Sequence, residues 1–519
     1  MGGGLVKTAT PEPNKGPVED RVVEPSATGC PQGQWHRRAL QKIEEALQVP
    51  LLPEAARAAL EAAVSELRSI HGTQTKDTAS SSSYDLPVEG TSWKLMLESY
   101  TDNDPEAAEG HHMLEQKSPK RNGSGASATL KVFCRSFESM GTGMPCLSDM
   151  LQEAGQLGFD AIAFSESAEV AGQPLRVLGA HLTRSTDMWS SLRDLRFVLE
   201  PDEFQGRVSN FLGAIDFLYR ADVPYHGPAH AADVMSTMEW FLQTPYVSSI
   251  TNHMDHFMGL MAAAIHDVGH PGTNNMFQSK TLGPLALRYN DKSILEMMHV
   301  ALAFETMLQN EATNWLELLP CDFQDSEDPA AKPANLQHYV RRGLIDMVLG
   351  TDMAKHAKKL AKLQDIAQEE ERGRMENVCN RPLDRTANFG QDQKKQESLE
   401  RKLFVLGTAL HASDISTPCK PRQLMLRWTE RVLLEFWAQG DEELRLQLPI
   451  SPLCDRASGR SSVAKGQLGF INFVVKPFYA PLVALVPEVQ LAMELLRQNK
   501  VFWEERDSER TPYEEIFAR

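Results

Sequence analysis

A chain of 519 residues with 42% apolar residues and a formal net charge of −17 has ample material for a core, either as several domains or as one large helical domain with an appended region. The acidic balance argues against nucleic acid or an anionic membrane surface as the main partner, because phosphate-rich surfaces are bound by concentrated basic charge. Seven cysteines (Cys30, Cys134, Cys146, Cys321, Cys379, Cys419 and Cys454) without CxxC spacing suggest neither a disulfide framework nor a cysteine zinc site, and the expected compartment is reducing and cytoplasmic.

Residues 1–34 are rich in Pro, Gly and charge, the composition of a disordered tail. From 35 to 70, Leu40, Ile43 and Leu47, then Leu60, Val64 and Leu67, recur at helical spacing around Pro50 and Pro53. That pattern predicts a helical hairpin, suited to regulation or to a homodimer through the N-terminal helices. Residues 71–150 read as linker and poorly ordered chain. Met1-Gly2 opens like an acylation signal, but Val6 stands where Ser or Thr is wanted. No apolar run reaches the roughly 18 to 20 residues that span a bilayer, so no transmembrane segment is expected.

Between 151 and 505 long helical patterns alternate with short breaks and show little β-type alternation, which predicts one all-α domain. Two inserts interrupt it, an acidic, Pro-containing one at 320–333 and a charged one at 373–397 that is expected as an exposed loop, and 506–519 is expected as a C-terminal tail. Within the domain, 257–265 is apolar or small at nearly every position, a helix buried on all sides. His266 and Asp267 end it, and Gly269 with Pro271-Gly272 stops it so that His270 lies just beyond. A buried imidazole and carboxylate cost several kcal/mol unless a metal or a tight hydrogen-bonded pair compensates them.

Two further clusters share that character. His226 and His230 lie four apart, with Gly227-Pro228 suiting a first helical turn, so His226 falls just before the helix. Asp414 sits at an apolar helix end stopped by Pro418. His230, His266, Asp267 and Asp414 together form a nitrogen and oxygen donor set that suits Zn²⁺, with an adjacent oxygen-rich position for Mg²⁺ or Mn²⁺. Two such ions about 3.5 to 4 Å apart sharpen a shared water for in-line displacement at phosphorus. A nearby unbound histidine, His226, is placed to protonate the leaving oxygen. Each histidine alone is more often a satisfied core or surface residue, and His256, His299, His356 and His411 read that way; the four ligands are specific only in combination.

These clusters, with Tyr225-His226 and His230-Ala-Ala-Asp-Val234, Ala264-Ile-His-Asp-Val and His270-Pro-Gly272, Met347-Val-Leu-Gly-Thr-Asp-Met353, Asp414-Ile-Ser, and Gly466-Gln-Leu-Gly-Phe-Ile471, resemble in order the motifs of class I 3′,5′-cyclic nucleotide phosphodiesterases. The resemblance covers about 151–505 and not the first 150 residues. It implies a large multi-helix catalytic domain of the HD/phosphodiesterase type that opens 3′,5′-cyclic nucleotides to 5′-monophosphates and so ends their signalling. By the resemblance His230, His266, Asp267 and Asp414 hold zinc, and Asp267 with waters supported by His270, Glu296 and Thr351 holds magnesium. His226 resembles the general acid, Gln467 the amide that reads the purine, and Phe470 and Val432 the two jaws around it. Asn275, Thr417 and Tyr225 complete the implied substrate-binding set. Gly227, Gly269, Met297 and Met298 depart from the usual polar residues, and Thr417 stands where cAMP-selective members carry Asn. The implied preference is cAMP, with cGMP as a second substrate. Two other classes share part of this signature: a general HD-type nucleotide phosphohydrolase, and a catalytically silent cyclic-nucleotide sensor.

Overall fold

The computed structural model describes residues 146–518, apart from 187, 195, 196, 199, 321–334 and 379–390. The expected tail at 1–34, the hairpin at 35–70 and nearly all of the linker lie outside the described residues, as does the insert at 320–333 beyond Pro320. Among the described residues helical structure begins at Leu147–Gln152, inside the stretch expected to be linker, where Met150 is buried. Among the described residues there is no strand.

Among the described residues, eleven helices of ten or more residues carry the fold: α1 (Pro174–Ser185), α2 (Pro201–Leu218), α3 (Pro228–Leu242), α4 (His253–Ile265), α5 (Ile294–Leu308), α6 (Leu336–Leu349), α7 (His356–Val378), α8 (Gln391–Asp414), α9 (Arg422–Arg445), α10 (Val463–Leu485) and α11 (Val489–Glu509). Their starts follow local chemistry. Proline at the first turn of α1, α2 and α3 supplies the helical φ where its missing N–H costs nothing. Asn252 and Asp255 close a capping box on α4, and Asn335 accepts from the His338 N–H to cap α6, each satisfying amides that would otherwise be orphaned.

The centre is α4, buried at every position from Phe257 to Ile265, with α3, α6 and α8 packed on it. Phe257 also joins an aromatic cluster: its ring centroid lies 5.4 Å from that of Phe204 and 5.2 Å from that of Trp315, and Phe211 stands 6.0 Å from Trp315. Each such pair adds about 0.5 to 1.5 kcal/mol beyond the area it buries, which fixes α2 and α4 before any polar group is considered.

Three expectations are corrected. The insert at 373–397 is largely helical at its edges, since α7 runs to Val378 and α8 starts at Gln391. The chain does not leave the fold at 505, because α11 continues to Glu509 and the Tyr513 ring packs 5.0 Å from Trp437. One helix, α10, is after all long and apolar enough by length and composition to cross a membrane. Here Ile471, Val474, Val475, Phe478, Tyr479, Leu482 and Leu485 on it are buried within the fold, which accounts for its apolarity. A π-helical turn at Ile471–Val475 interrupts α10 directly after Phe470, and such turns shift the phase of the side chains on either side of them.

Candidate active site

Helix ends deliver the donors. Gly227 caps α3, so His226 sits before its first turn and His230 within it. His266 is the C-cap of α4, and Asp414 is the last residue of α8. Gly269 adopts φ +77°, and a β-carbon there would stand 2.6 Å from Leu302 Cδ2. The residue departing from the usual acidic one is thus the residue this close, left-handed turn requires.

His230, His266, Asp267 and Asp414 each offer a ligand atom, and these atoms all lie within 4.8 Å of one another. His230 Nε2 is 3.2 Å from Asp414 Oδ1 and 3.6 Å from Asp267 Oδ2; His266 Nε2 is 3.0 Å from Asp267 Oδ2 and 3.6 Å from Asp414 Oδ1. His266 Nδ1 faces the Ala263 carbonyl at 2.9 Å. A carbonyl only accepts, so Nδ1 carries the proton and Nε2 turns its lone pair to the cluster. That Nε2 is buried without a hydrogen-bond partner. These donors fit a divalent cation. Burial alone would lower the His266 pKa, yet the charges of Asp267 and Asp414 beside it raise it well above its usual value. Against their burial, the neighbouring imidazoles keep Asp267 and Asp414 well below the carboxylate range.

Asp267 is two-sided. Its Oδ2 faces His230 and His266, while Oδ1 lies 3.5 Å from His299 Nε2, a ring whose Nδ1 meets the Val268 carbonyl at 2.8 Å. Burial lowers His299 to about 4. Nearby, burial and Asp352 raise Glu296 to about 8, and Asn275 Nδ2 donates to its two oxygens at 3.3 and 3.1 Å. Thr351 Oγ donates to the Val348 carbonyl at 2.8 Å.

Two stacked histidines occupy the next position. The rings of His226 and His270 lie 4.0 Å apart at 24°, yet their protonation is driven in opposite directions. Burial pushes His270 to about 3, with cationic His226 adding to the effect. Burial also opposes charge on His226, but Glu435 and then Asp267 outweigh it and raise the ring to about 9. Glu435 Oε1 stands 2.5 Å from His226 Nδ1, while Oε2 accepts the Tyr225 and His226 backbone N–H groups at 2.9 and 3.0 Å. His226 Nε2 is then the nitrogen left for the cavity.

All of the sequence-singled residues except His230 and His266 line one cavity of about 280 Å³. Those two lie beneath it, 2% and 0% exposed. Gln467, Phe470, Val432, Thr417 and Tyr225 line the same cavity as Asp267 and Asp414 and make up its wall, as the four donors make up its floor. Tyr225 OH and Thr417 Oγ lie 3.4 Å apart, and no side-chain hydrogen bond among the described residues holds the Gln467 amide. Glu435 escaped the reading of the sequence. Its signal was its register on α9, seven residues after buried Trp428 and four before buried Gln439, a carboxylate on the buried face of the helix. His299 read as a core or surface histidine because its tie to Asp267 exists only in three dimensions.

The family described as 3′5′-cyclic nucleotide phosphodiesterase matches residues 225–496. The 3′,5′-cyclic-AMP phosphodiesterase 4C of Rattus norvegicus is 31% identical over 362 residues, 69% of this chain and 59% of that protein. A probable 3′,5′-cyclic-AMP phosphodiesterase of Caenorhabditis elegans is 32% identical over 303 residues, 58% of this chain and 40% of that one. This chain therefore spans less than two thirds of the length of these curated relatives. Among solved structures, the phosphodiesterase domain of a rhodopsin fusion protein from the choanoflagellate Salpingoeca rosetta superposes with a TM-score of 0.54 at 26% identity, over 70% of this chain and 99% of that one.

Proposed function

The chain belongs to the 3′,5′-cyclic nucleotide phosphodiesterase family, and from that premise we propose that it hydrolyses 3′,5′-cyclic nucleotides to nucleoside 5′-monophosphates, with cAMP preferred over cGMP. The observation carrying this reading is the convergence of four donors within 4.8 Å at a cavity that is also lined by an aromatic ring, Phe470, and an amide, Gln467. In this reading His230, His266, Asp267 and Asp414 hold Zn²⁺, and Asp267, with His270, Glu296 and Thr351 in support, serves a second ion, Mg²⁺ or Mn²⁺. When bound, such a pair supplies an activated water and neutralises charge at the phosphoryl group.

The chain's own residues do the rest. Glu435 fixes the His226 ring and keeps it protonated near neutral pH, so Nε2 carries the proton delivered to O3′ as that bond breaks. The purine lies between Phe470 and Val432, where stacking contributes about 1 to 3 kcal/mol. The Gln467 amide offers a donor and an acceptor to its edge, and Thr417 and Asn275 bound the substrate on the remaining sides.

Purified protein with Mg²⁺ is expected to convert cAMP faster than cGMP, and Asp414→Ala to abolish turnover of both; full activity in that variant would refute the ligand assignment. A panel with acyclic nucleotides separates this activity from that of a general nucleotide phosphohydrolase. Saturable binding without turnover would identify a sensor instead.

A further inference from the structure

Behind the metal cluster lies a buried cation that the chemistry above does not use. Lys420 is 0% exposed, and its Nζ lies 3.0 Å from Asp233 Oδ1 and donates to Thr237 Oγ at 3.0 Å. Both partners are on α3, three and seven residues after His230, so all three side chains fall along one stripe of that helix. Lys420 itself closes the short 3₁₀ turn Thr417–Cys419, its N–H donating to the Thr417 carbonyl at 3.2 Å. That turn begins three residues after Asp414, at Thr417. Its other side is held from α11, where Asn499, 2% exposed, donates from Nδ2 to the Pro418 carbonyl at 3.0 Å and the Lys420 carbonyl at 2.7 Å.

We propose that Lys420 is a positioning residue for the metal centre: its buried ion pair with Asp233 locks the helix bearing His230 to the turn after Asp414, with Asn499 clamping that turn from the far side. The inference rests on the metal-binding reading above. An isolated charge is not tolerated in such surroundings, so the pair has essentially one arrangement. That arrangement fixes the spacing of two ligands that come from different helices, 3.2 Å between His230 Nε2 and Asp414 Oδ1. A solvated tether would leave the two free to drift, and groups behind metal ligands commonly tune affinity by about 10- to 100-fold.

The test is titration of metal-depleted full-length protein with Co²⁺, followed by its visible d–d absorption, alongside thermal melting. Lys420→Met is expected to lower the Tm and weaken Co²⁺ binding about tenfold. The double variant Asp233→Asn/Lys420→Met removes the stranded carboxylate and is expected to regain most of the lost Tm while Co²⁺ affinity stays weak. A merely structural pair would restore both together, and recovery of wild-type affinity with the Tm overturns the proposal. Asn499→Leu, which leaves the charges paired, decides the matter if the double variant does not fold: weaker binding with an altered absorption band supports positioning, and unchanged binding overturns it. Failure of the wild-type protein to bind Co²⁺ at all would instead overturn the metal-site reading itself.

Discussion

The floor and the wall of the cavity are built on opposite principles. At the floor, His266 is oriented by a backbone carbonyl, His230 is tied to two carboxylates, and Asp267 faces histidines on both sides. His230 and His266 are buried, and their contacts with Asp267 and Asp414 at 3.0 to 3.6 Å leave little rotational freedom. Along the wall, Gln467 has a free amide, Tyr225 and Thr417 share one long contact of 3.4 Å, and Phe470 and Val432 are only partly buried. A rigid floor suits chemistry, which depends on fixed distances; a looser wall suits the reading of a base, which can be retuned without disturbing the floor.

That contrast predicts graded effects. Asp414→Ala at the floor removes a donor shared by two histidines, and kcat/KM should fall by on the order of a thousandfold or more, since metal-supplied charge stabilisation is worth several kcal/mol; metal content measured alongside should fall too. Glu435→Gln is next. It removes the charge that keeps His226 protonated, so kcat should drop by about a hundredfold or more. The sign of the pH effect follows from the raised value of about 9. The acid form is present below it and lost above it, and without Glu435 the alkaline fall in activity moves to lower pH.

At the wall the changes should be milder and fall on binding. Phe470→Ala loses about 1 to 3 kcal/mol of stacking, raising KM by about 5- to 150-fold with kcat less affected. An equal loss in kcat would break the distinction between floor and wall. The smallest effect is expected for Thr417→Asn, which adds an amide beside the base. One net hydrogen bond of about 1 kcal/mol would raise the cAMP to cGMP ratio roughly fivefold, measured as a ratio of kcat/KM values.

How much of this was legible in the sequence depended on whether the signal was local. The start of α3 at Gly227-Pro228, the end of α4 at His266 and the end of α8 at Asp414 all follow from helix-stop chemistry and appear in the residues themselves. The all-α class was legible for the same reason. The charged flanks of α7 and α8 were not, because a run of charged and polar residues carries no apolar stripe and reads as a loop. Glu435 reaches His226 across 209 residues, and Lys420 reaches Asp233 across the domain. Neither separation leaves a trace in spacing, although Glu435 and Glu443 on the buried stripe of α9 were a visible anomaly.

The most direct test of the account is identification of the product formed from cAMP by the purified chain supplied with Mg²⁺. Protonation of O3′ by His226 above a metal-holding floor predicts 5′-AMP alone, with formation lost in His226→Ala. Formation of 3′-AMP, or unchanged 5′-AMP formation in that variant, would contradict it.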